Sequence, residues 1–178
     1  MDSFALLSHV PPPRNVGNAL TGTWQGLRVA VFDVWTTGSN VPTPETRGRA
    51  YSCVMVPVPG WWPPFLVDRE RGERGLADVA VLRDVELESE EFNRAYQVQG
   101  ADARFVSALL DARMMAWLLD LTRLWGFEAR AGHLLARTDL RLPWELPEVL
   151  ETTKAFLDHI PRALASLYPP SRPDLDGV

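Results

Sequence analysis

The sequence predicts an α+β fold in which an antiparallel sheet of about five or six strands is packed by two or three helices. Three observations support this prediction. In Leu27–Trp35 the odd-numbered and the even-numbered positions are both largely apolar, as expected for a strand that is covered on both faces. Ser89 precedes Glu90 and Glu91, which is a typical start of a helix. Pro143–Leu167 repeats apolar residues at three- and four-residue spacing, the period of an amphipathic helix.

The length of the chain, 178 residues, favours a single domain. We predict a lead-in segment over residues 1–18, one α+β domain over residues 19–168 and a flexible proline-rich tail over residues 169–178. The composition is 46% apolar and 23% charged, as in ordinary globular proteins, so disorder of the whole chain is not expected.

In the first half of the chain, Thr21–Thr37 predicts a strand, a tight turn at Gln25–Gly26 and the longer strand Leu27–Trp35. Residues 38–48 predict a loop, because glycine, proline and small polar residues dominate them. Further strands are predicted at Arg49–Val58, Phe65–Asp68 and Asp84–Glu88, and a charged loop at Arg69–Arg74. Pro57 has no N–H group, so its strand either ends there or lies at an edge of the sheet.

The second half of the chain contains helices with recognisable caps. Ser89 predicts a helix over Glu90–Tyr96, followed by a brief extended piece at Gln97–Gln99. Asp102 and Asp111 are both candidate N-caps, so two helices at residues 103–110 and 112–124 are predicted, or one long helix with a joint at Asp111. These helices leave little polar face, which favours a place in the core. Their apolar residues are Phe105, Leu109, Leu110, Met114, Met115, Trp117, Leu118 and Leu119.

The remaining elements are a hairpin and a last helix. Phe127–Arg130 and Leu134–Thr138 predict a β-hairpin with its turn at Ala131–His133. Pro161 removes one helical N–H group, so the last helix should kink or restart near His159.

Charge and cysteine content narrow the classes of function. A net charge of -5 and a pI of about 5.2 argue against a nucleic-acid-binding protein. The lone Cys53 allows no disulfide within the chain, and its apolar neighbours predict a buried, inert thiol. No uninterrupted apolar stretch is long enough to cross a membrane, so we expect a soluble, cytoplasmic protein without a transmembrane segment.

The sequence contains no recognisable catalytic or metal-binding motif. The histidines, His9, His133 and His159, do not form a pair at metal-ligand spacing. Asp158 and His159 are adjacent, but neighbours on a helix point in different directions. The acidic run from Glu86 to Glu91 is explained by the exit of a strand and the start of a helix. We therefore predict no catalytic residue, no cofactor and no metal, and we favour a protein that is not an enzyme.

Trp61 and Trp62 stand between prolines and are followed by Phe65. Two adjacent tryptophans outside a helix cannot easily face one core, so one ring could be exposed and contact a partner protein or a membrane surface. The alternative is that the segment folds back and both rings cap an open end of the sheet. Trp61, Trp62 and Phe65 are the predicted partner-binding residues.

Five segments of the chain resemble an uncharacterised bacterial family, largely actinobacterial, that is catalogued as a domain of unknown function. The segments are Gly22–Val29, Phe32–Asp33, Glu88–Val98, Leu109–Leu119 and Gly126–Leu135. The resemblance spans about Thr21–Leu167, and its most specific parts are the Ser-Glu-Glu-Phe-Asn and Met-Met-x-Trp-Leu runs. It implies relatives with membrane segments before the domain, which this chain lacks, and it supplies no catalytic residues.

These observations favour a non-catalytic protein-interaction or accessory module that binds a protein partner or a second copy of itself. Nucleic acid is not an expected partner, and peripheral contact with a membrane stays open. The alternative is a small-ligand-binding protein or an enzyme, with a site assembled from distant residues between the sheet and a helix.

Overall fold

A computed structural model describes residues 4–9, 14–36, 50–69 and 82–168 of the chain. Its centre is one eight-stranded antiparallel sheet with the strand order β1-β2-β3-β8-β7-β4-β6-β5. The strands are β1 Arg14–Trp24, β2 Leu27–Thr36, β3 Ala50–Pro57, β4 Phe65–Asp68, β5 Arg83–Asp84, β6 Gln97–Gly100, β7 Trp125–Arg130 and β8 His133–Asp139. The antiparallel sheet is confirmed, and it has more strands than the five or six predicted.

The sheet differs from the prediction near both edges. β1 begins at Arg14, within the predicted lead-in, so the strand predicted from Thr21 to the Gln25–Gly26 turn is only its last part; most β1 residues are exposed, and no apolar alternation marks its first part. β6 pairs with β4, although only four residues take part. The predicted strand Asp84–Glu88 is wrong beyond Asp84, because β5 pairs with β6 through Arg83 and Asp84 alone.

Two hairpin turns have the predicted positions. Gln25 and Gly26 join β1 to β2 with φ values of 47° and 81°, and Ala131 and Gly132 join β7 to β8 with φ values of 49° and 74°. Both central residues of each turn therefore have positive φ, as in the type I′ turns that match the twist of paired strands.

Helices cover one face of the sheet, and they are more numerous than predicted. The helices are α1 Glu90–Ala95, α2 Ala103–Leu109, α3 Ala112–Asp120, α4 Leu146–His159 and α5 Ala163–Leu167, with 3-10 turns at Ala5–His9 and Pro143–Glu145. The predicted N-caps Ser89, Asp102 and Asp111 are confirmed, since each side chain accepts a backbone N–H of the first turn. None of the described helices is both long enough and apolar enough to cross a lipid bilayer.

The larger core lies between the sheet and these helices. Phe65, Phe127, Phe105, Met114 and Phe156 are fully buried there. α3 ends at Asp120 instead of residue 124, and the last predicted helix is divided at Pro161, as expected from the missing N–H group.

The opposite face of the sheet carries a smaller core with Leu6 and Cys53 in it. Glu128 accepts hydrogen bonds from the backbone N–H groups of Ala5 and Leu6 at 2.9 and 2.8 Å, and it thereby anchors the first 3-10 turn. Leu6 packs closely against Gly126: a Cβ atom added at Gly126 would lie only 2.7 Å from Cδ2 of Leu6. Residues of the predicted lead-in are thus packed against the sheet.

Cys53 is fully buried, and burial raises the pKa of its thiol to about 12. The predicted burial of the thiol is therefore confirmed, and its raised pKa disfavours the reactive thiolate. The predicted loop at residues 38–48, most of the charged loop at residues 69–74, the tail from residue 169 and the side chain of His9 lie outside the described residues.

Candidate functional site

Two regions of the helix-covered face hold the aromatic and polar groups that are candidates for function. The first is the Trp61–Trp62 turn, residues 58–65, which links β3 to β4. Trp62 donates its backbone N–H to Pro59, and Val58 donates to Gly132, so the turn lies beside the β7–β8 hairpin turn. The structure therefore places Trp61 and Trp62 at the hairpin end of the sheet.

The rings of the Trp61–Trp62 turn pack on each other and on the core. Trp61 and Trp62 meet edge to face with ring centroids 6.3 Å apart. Phe105 contacts both rings at 6.5 and 5.9 Å, and Phe65 contacts Trp62 at 6.2 Å. Phe65 and Phe105 have no exposed surface, whereas Trp61 and Trp62 are half-buried. Phe105 therefore supports both rings from the core side and Phe65 supports Trp62, so only the outer parts of the tryptophans face water.

The second region is a cleft between strands β1–β3 and the start of α4. It encloses about 170 Å³. Its apolar walls consist of Leu20, Val31, Leu142, Pro143, Leu146 and Val149. Asn18, Asp33, Ser52 and Arg141 contribute its polar groups, and we call it the Asp33 cleft. Pro57 is five residue steps along β3 from Ser52, so the cleft lies about 17 Å along the strand from the start of the Trp61–Trp62 turn.

Asp33 lies at the centre of the polar groups in the cleft. Asp33 is only 9% exposed. One carboxylate oxygen accepts from the Ser52 hydroxyl at 2.6 Å, and the other accepts from the Asn18 amide at 2.7 Å. Ser52 in turn accepts the backbone N–H of Arg141 at 2.9 Å. Two neutral donors hold Asp33 in a fixed orientation.

A local irregularity in β1 brings Asn18 to this position. The register between β1 and β2 shifts between Gly17 and Leu20, and Asn18 has a φ of 52°. Asparagine tolerates this left-handed conformation better than most residues, and such a bulge redirects a side chain. The bulge therefore positions the Asn18 amide on Asp33.

No cation pairs with Asp33 among the described residues. Arg141 binds Asp139 and Glu145, and Arg123 binds Glu145 and Glu148, so two arginines are shared among three other carboxylates. The Arg141 side chain is 7% exposed, yet its buried Nε–H has no hydrogen-bond partner among the described residues. Buried charges and buried donors are nearly always paired in proteins. The cleft thus contains a carboxylate that a bound cation would compensate.

Exposed apolar side chains line or adjoin the Asp33 cleft. Trp144 follows directly on Leu142 and Pro143 of the cleft wall, and it is 74% exposed. Leu20 and Leu142, which line the cleft, are 59% and 40% exposed. These three residues therefore leave apolar surface in water.

Two other buried charged groups of the described structure, Arg137 and Glu128, tie elements of the fold together. On the opposite face of the sheet, Arg137 binds Asp68 at 2.8 Å, and its guanidinium lies 4.4 Å from the centre of the Tyr51 ring. Burial raises the pKa of the Glu128 carboxyl, and the N–H groups of Leu6 and Ala5 oppose that rise. These groups tie strands and the first 3-10 turn together.

The histidines do not form a catalytic pair in the described structure. His133 lies exposed at the start of β8, and its Nδ1 is 3.1 Å from the carbonyl oxygen of Ala131. His159 stacks on Trp117 at 4.7 Å, with its Nδ1 2.8 Å from the carbonyl oxygen of Ala155. Asp158 instead pairs with Lys154 at 2.6 Å.

A wider groove of about 330 Å³ lies along β5, β6 and α1. Its polar groups already satisfy one another. Asn93 exchanges two hydrogen bonds with the backbone of Leu87, and Gln99 binds Asp84 at 2.9 Å. Because no buried group is left over there, this groove is a weaker candidate than the Asp33 cleft.

Sequence reasoning identified the Trp61–Trp62 turn and missed the Asp33 cleft. Asp33 lies inside the apolar run of β2, between Phe32 and Val34, and a charged residue in such a strand is a signal for a special environment. Its partners come from β1, β3 and the segment after β8, and sequence spacing does not show that they meet. The role of the Trp61–Trp62 turn in binding stays a prediction.

No protein-family model matches this chain, and no curated protein sequence matches it. Among solved structures, the chain is similar to the crystal structure of the mycobacterial trehalose monomycolate transport factor A, TtfA. The alignment has a TM-score of 0.63 at 13% sequence identity, and it covers 94% of this chain and 82% of that chain. At this identity the likeness shows that the two chains share a fold.

Proposed function

We propose that this chain is a non-catalytic protein-interaction module and that the mouth of the Asp33 cleft is its principal contact surface. The observation that carries the proposal is Trp144, whose side chain is 74% exposed beside the exposed Leu142. Tryptophan is enriched among the residues that dominate the energy of protein interfaces. A partner that covers Trp144, Leu142 and Leu20 would remove the apolar surface of these three exposed residues from water.

The Trp61–Trp62 turn is the second proposed contact. Its two rings are half-buried, so their outer parts can meet a partner while Phe65 and Phe105 hold them from below. A rigid aromatic pair of this kind loses little conformational freedom on binding. The similar solved structure is named a transport factor, and this name states no reaction. The likeness to it concerns the fold, and it is compatible with an accessory role for this chain.

The proposal is tested with the purified full chain as bait, and a second copy counts as a partner. A captured protein is identified, purified and titrated against the wild-type chain and against Trp144→Ala by calorimetry. We expect Trp144→Ala to weaken binding at least about tenfold, since truncated interface tryptophans commonly cost 2 kcal/mol or more. Leu124→Ala removes an apolar side chain that is 46% exposed elsewhere, and it serves as the control.

Two results would contradict the proposal. One is that no captured protein binds the purified chain directly and that sedimentation shows no self-association. The other is equal affinity for the wild type and for Trp144→Ala. Trp61→Ala/Trp62→Ala is titrated in the same series, and unchanged binding by this variant would remove the second contact while leaving the first.

A small-ligand-binding protein is the second candidate function. The observation that favours it is the convergence of Asp33, Ser52 and Arg141 in a cleft between the sheet and α4. Apolar walls with a few placed polar groups are typical of ligand sites. Native mass spectrometry of the purified chain tests this alternative, because a retained small molecule that is lost in Leu146→Trp, which fills the cleft, would favour it.

A further inference from the structure

We infer that the Asp33 cleft binds the side chain of a lysine that a partner protein presents, with the ammonium group at Asp33 and the aliphatic stem on the apolar walls. This inference rests on the proposed interaction function, and it names the chemical group that the partner supplies. Its basis is a nearly buried carboxylate that faces a cleft and has no cation among the described residues.

The charges around the cleft favour a cationic guest. Arg141 and Arg123 are occupied by Asp139, Glu145 and Glu148, so neither arginine pairs with Asp33. An anionic guest would approach a site in which carboxylates outnumber arginines. An ammonium group would instead compensate a carboxylate that is removed from water, and burying an uncompensated charge is costly.

The hydrogen bonds of Asp33 favour lysine over arginine. Each carboxylate oxygen has two acceptor positions, and Ser52 and Asn18 already take one position on each oxygen. A guanidinium fork requires both oxygens in one plane, whereas an ammonium group is a compact point charge that can approach a single remaining position. A cleft of about 170 Å³ also suits a narrow, flexible stem.

The walls of the cleft match the stem of a lysine side chain. Leu20, Leu142, Leu146 and Val149 line the same cleft as Asp33 and provide apolar contact there. Lysine buries its four methylene groups along apolar surface while its charged end reaches a polar group. The exposed Trp144 follows Leu142 and Pro143 of the cleft wall, so its ring is available to contact the segment that carries the lysine.

The exposed part of the cleft wall distinguishes a lysine within a peptide from a free amine. Leu20 and Leu142 line the cleft and are 59% and 40% exposed, and a simple alkylammonium ion inside the cleft does not cover their outer surface. A peptide backbone that carries the lysine can cover this apolar surface. A lysine in a peptide should therefore bind more tightly than an amine of the same stem length.

The inference is tested by NMR titration of the full chain with three probes: n-butylammonium, n-butanol and Nα-acetyl-L-lysine N-methylamide. Shifts of the Asn18 side-chain amide and of the Ser52 and Arg141 backbone amides report on the cleft. We expect saturable binding of both cations, at least about fivefold weaker binding of n-butanol, and tighter binding of the lysine derivative than of n-butylammonium. In Asp33→Asn, which keeps an acceptor at this position, the preference for the cations should disappear.

A second experiment needs no added ligand. Leu20→Lys places an ammonium group on the cleft wall, and Leu20→Gln is its neutral control. We expect Leu20→Lys to melt about 2–4 °C above Leu20→Gln, the shift that corresponds to roughly fivefold in the unfolding equilibrium for a chain of this size. The difference should vanish when both substitutions are combined with Asp33→Asn.

The results separate this inference from the proposed function. Equal binding of n-butanol and n-butylammonium, or cation binding unchanged in Asp33→Asn, would overturn the ammonium site. Binding of n-butylammonium as tight as that of the lysine derivative would overturn the partner lysine in favour of a free amine. In either case, weaker partner binding by Trp144→Ala would still support the interaction function. Conversely, if Trp144→Ala binds the partner as tightly as the wild type while the lysine derivative still binds the cleft, only the proposed contact surface is removed.

Discussion

The Trp61–Trp62 turn and the Asp33 cleft lie on the same face of the sheet and use tryptophan in opposite ways. In the turn, Trp61 and Trp62 pack on each other and on the buried rings of Phe65 and Phe105. Beside the cleft, Trp144 is exposed, and a buried carboxylate has no cation among the described residues. A region whose side chains pack on one another stabilises the fold. A region with an exposed aromatic ring and a carboxylate that lacks a cation is better suited to binding.

The largest expected effect is the loss of the ring beneath the turn. Phe105 is fully buried and contacts Trp61, Trp62, Phe65 and Tyr168. Phe105→Ala should lower the free energy of unfolding by about 3–5 kcal/mol, because it leaves a cavity under both tryptophans. Urea unfolding measures this effect. Leu167→Ala, at a site that is 63% exposed, is the control, and similar losses for both variants would contradict a structural role for the turn.

The tryptophans of the turn should contribute less than Phe105. Each is half-buried, so Trp61→Ala or Trp62→Ala should lower the free energy of unfolding by about 1–2 kcal/mol, roughly half of the effect of a fully buried side chain. Their ring centroids are 6.3 Å apart, so the double variant should deviate from additivity by about 0.5 kcal/mol or more. Strict additivity in urea unfolding would show that the two rings act independently.

The polar base of the cleft should also contribute to stability. Ser52→Ala removes the donor to Asp33 and the acceptor of the Arg141 N–H, both inside the protein. Unsatisfied buried groups cost about 1–3 kcal/mol, so a loss of this size is expected in urea unfolding. Ser107→Ala on the exposed side of α2 provides the matched control. If the two variants were equally stable, water rather than Ser52 would satisfy the groups of the cleft.

The smallest expected effect on stability is that of Trp144→Ala. Its ring is 74% exposed, so the free energy of unfolding should change by no more than about 0.5 kcal/mol. Thermal melting and urea unfolding both measure this. A loss as large as that of Trp62→Ala would mean that Trp144 stabilises the fold, and the comparison between the two regions would then fail.

Much of the fold could be predicted because its signals are local. The cap of α1 at Ser89, the break at Pro161 and the glycine-containing hairpin turns each depend on residues close in sequence. β1 was underestimated because an exposed edge strand needs only one hydrogen-bonded neighbour and carries no apolar alternation. The two residues of β5 are too few to show a pattern, and they are ordered through their pairing with β6.

The two regions differ in how far the sequence revealed them. Trp61 and Trp62 are adjacent, so their unusual composition was visible, although the sequence left open whether the rings are buried. Asp33 and Arg141 are far apart in the chain, and their meeting depends on the register of β2 with β3 and on the chain path after β8. Trp144 follows a proline in an ordinary helix start, and only its surroundings show that it is exposed.

By itself, the sequence determined the fold class, the antiparallel hairpins, the helix caps and the inert Cys53. Each of these follows from backbone sterics, from hydrogen bonding within a few residues or from strongly apolar neighbours. Only the tertiary structure decided that a carboxylate from β2 would lie buried in a cleft, hydrogen-bonded to Asn18 and Ser52, while the nearby arginines bind other acids. Charge pairing and burial depend on distances between residues that are remote in the chain, and those distances are set by sheet register and helix packing.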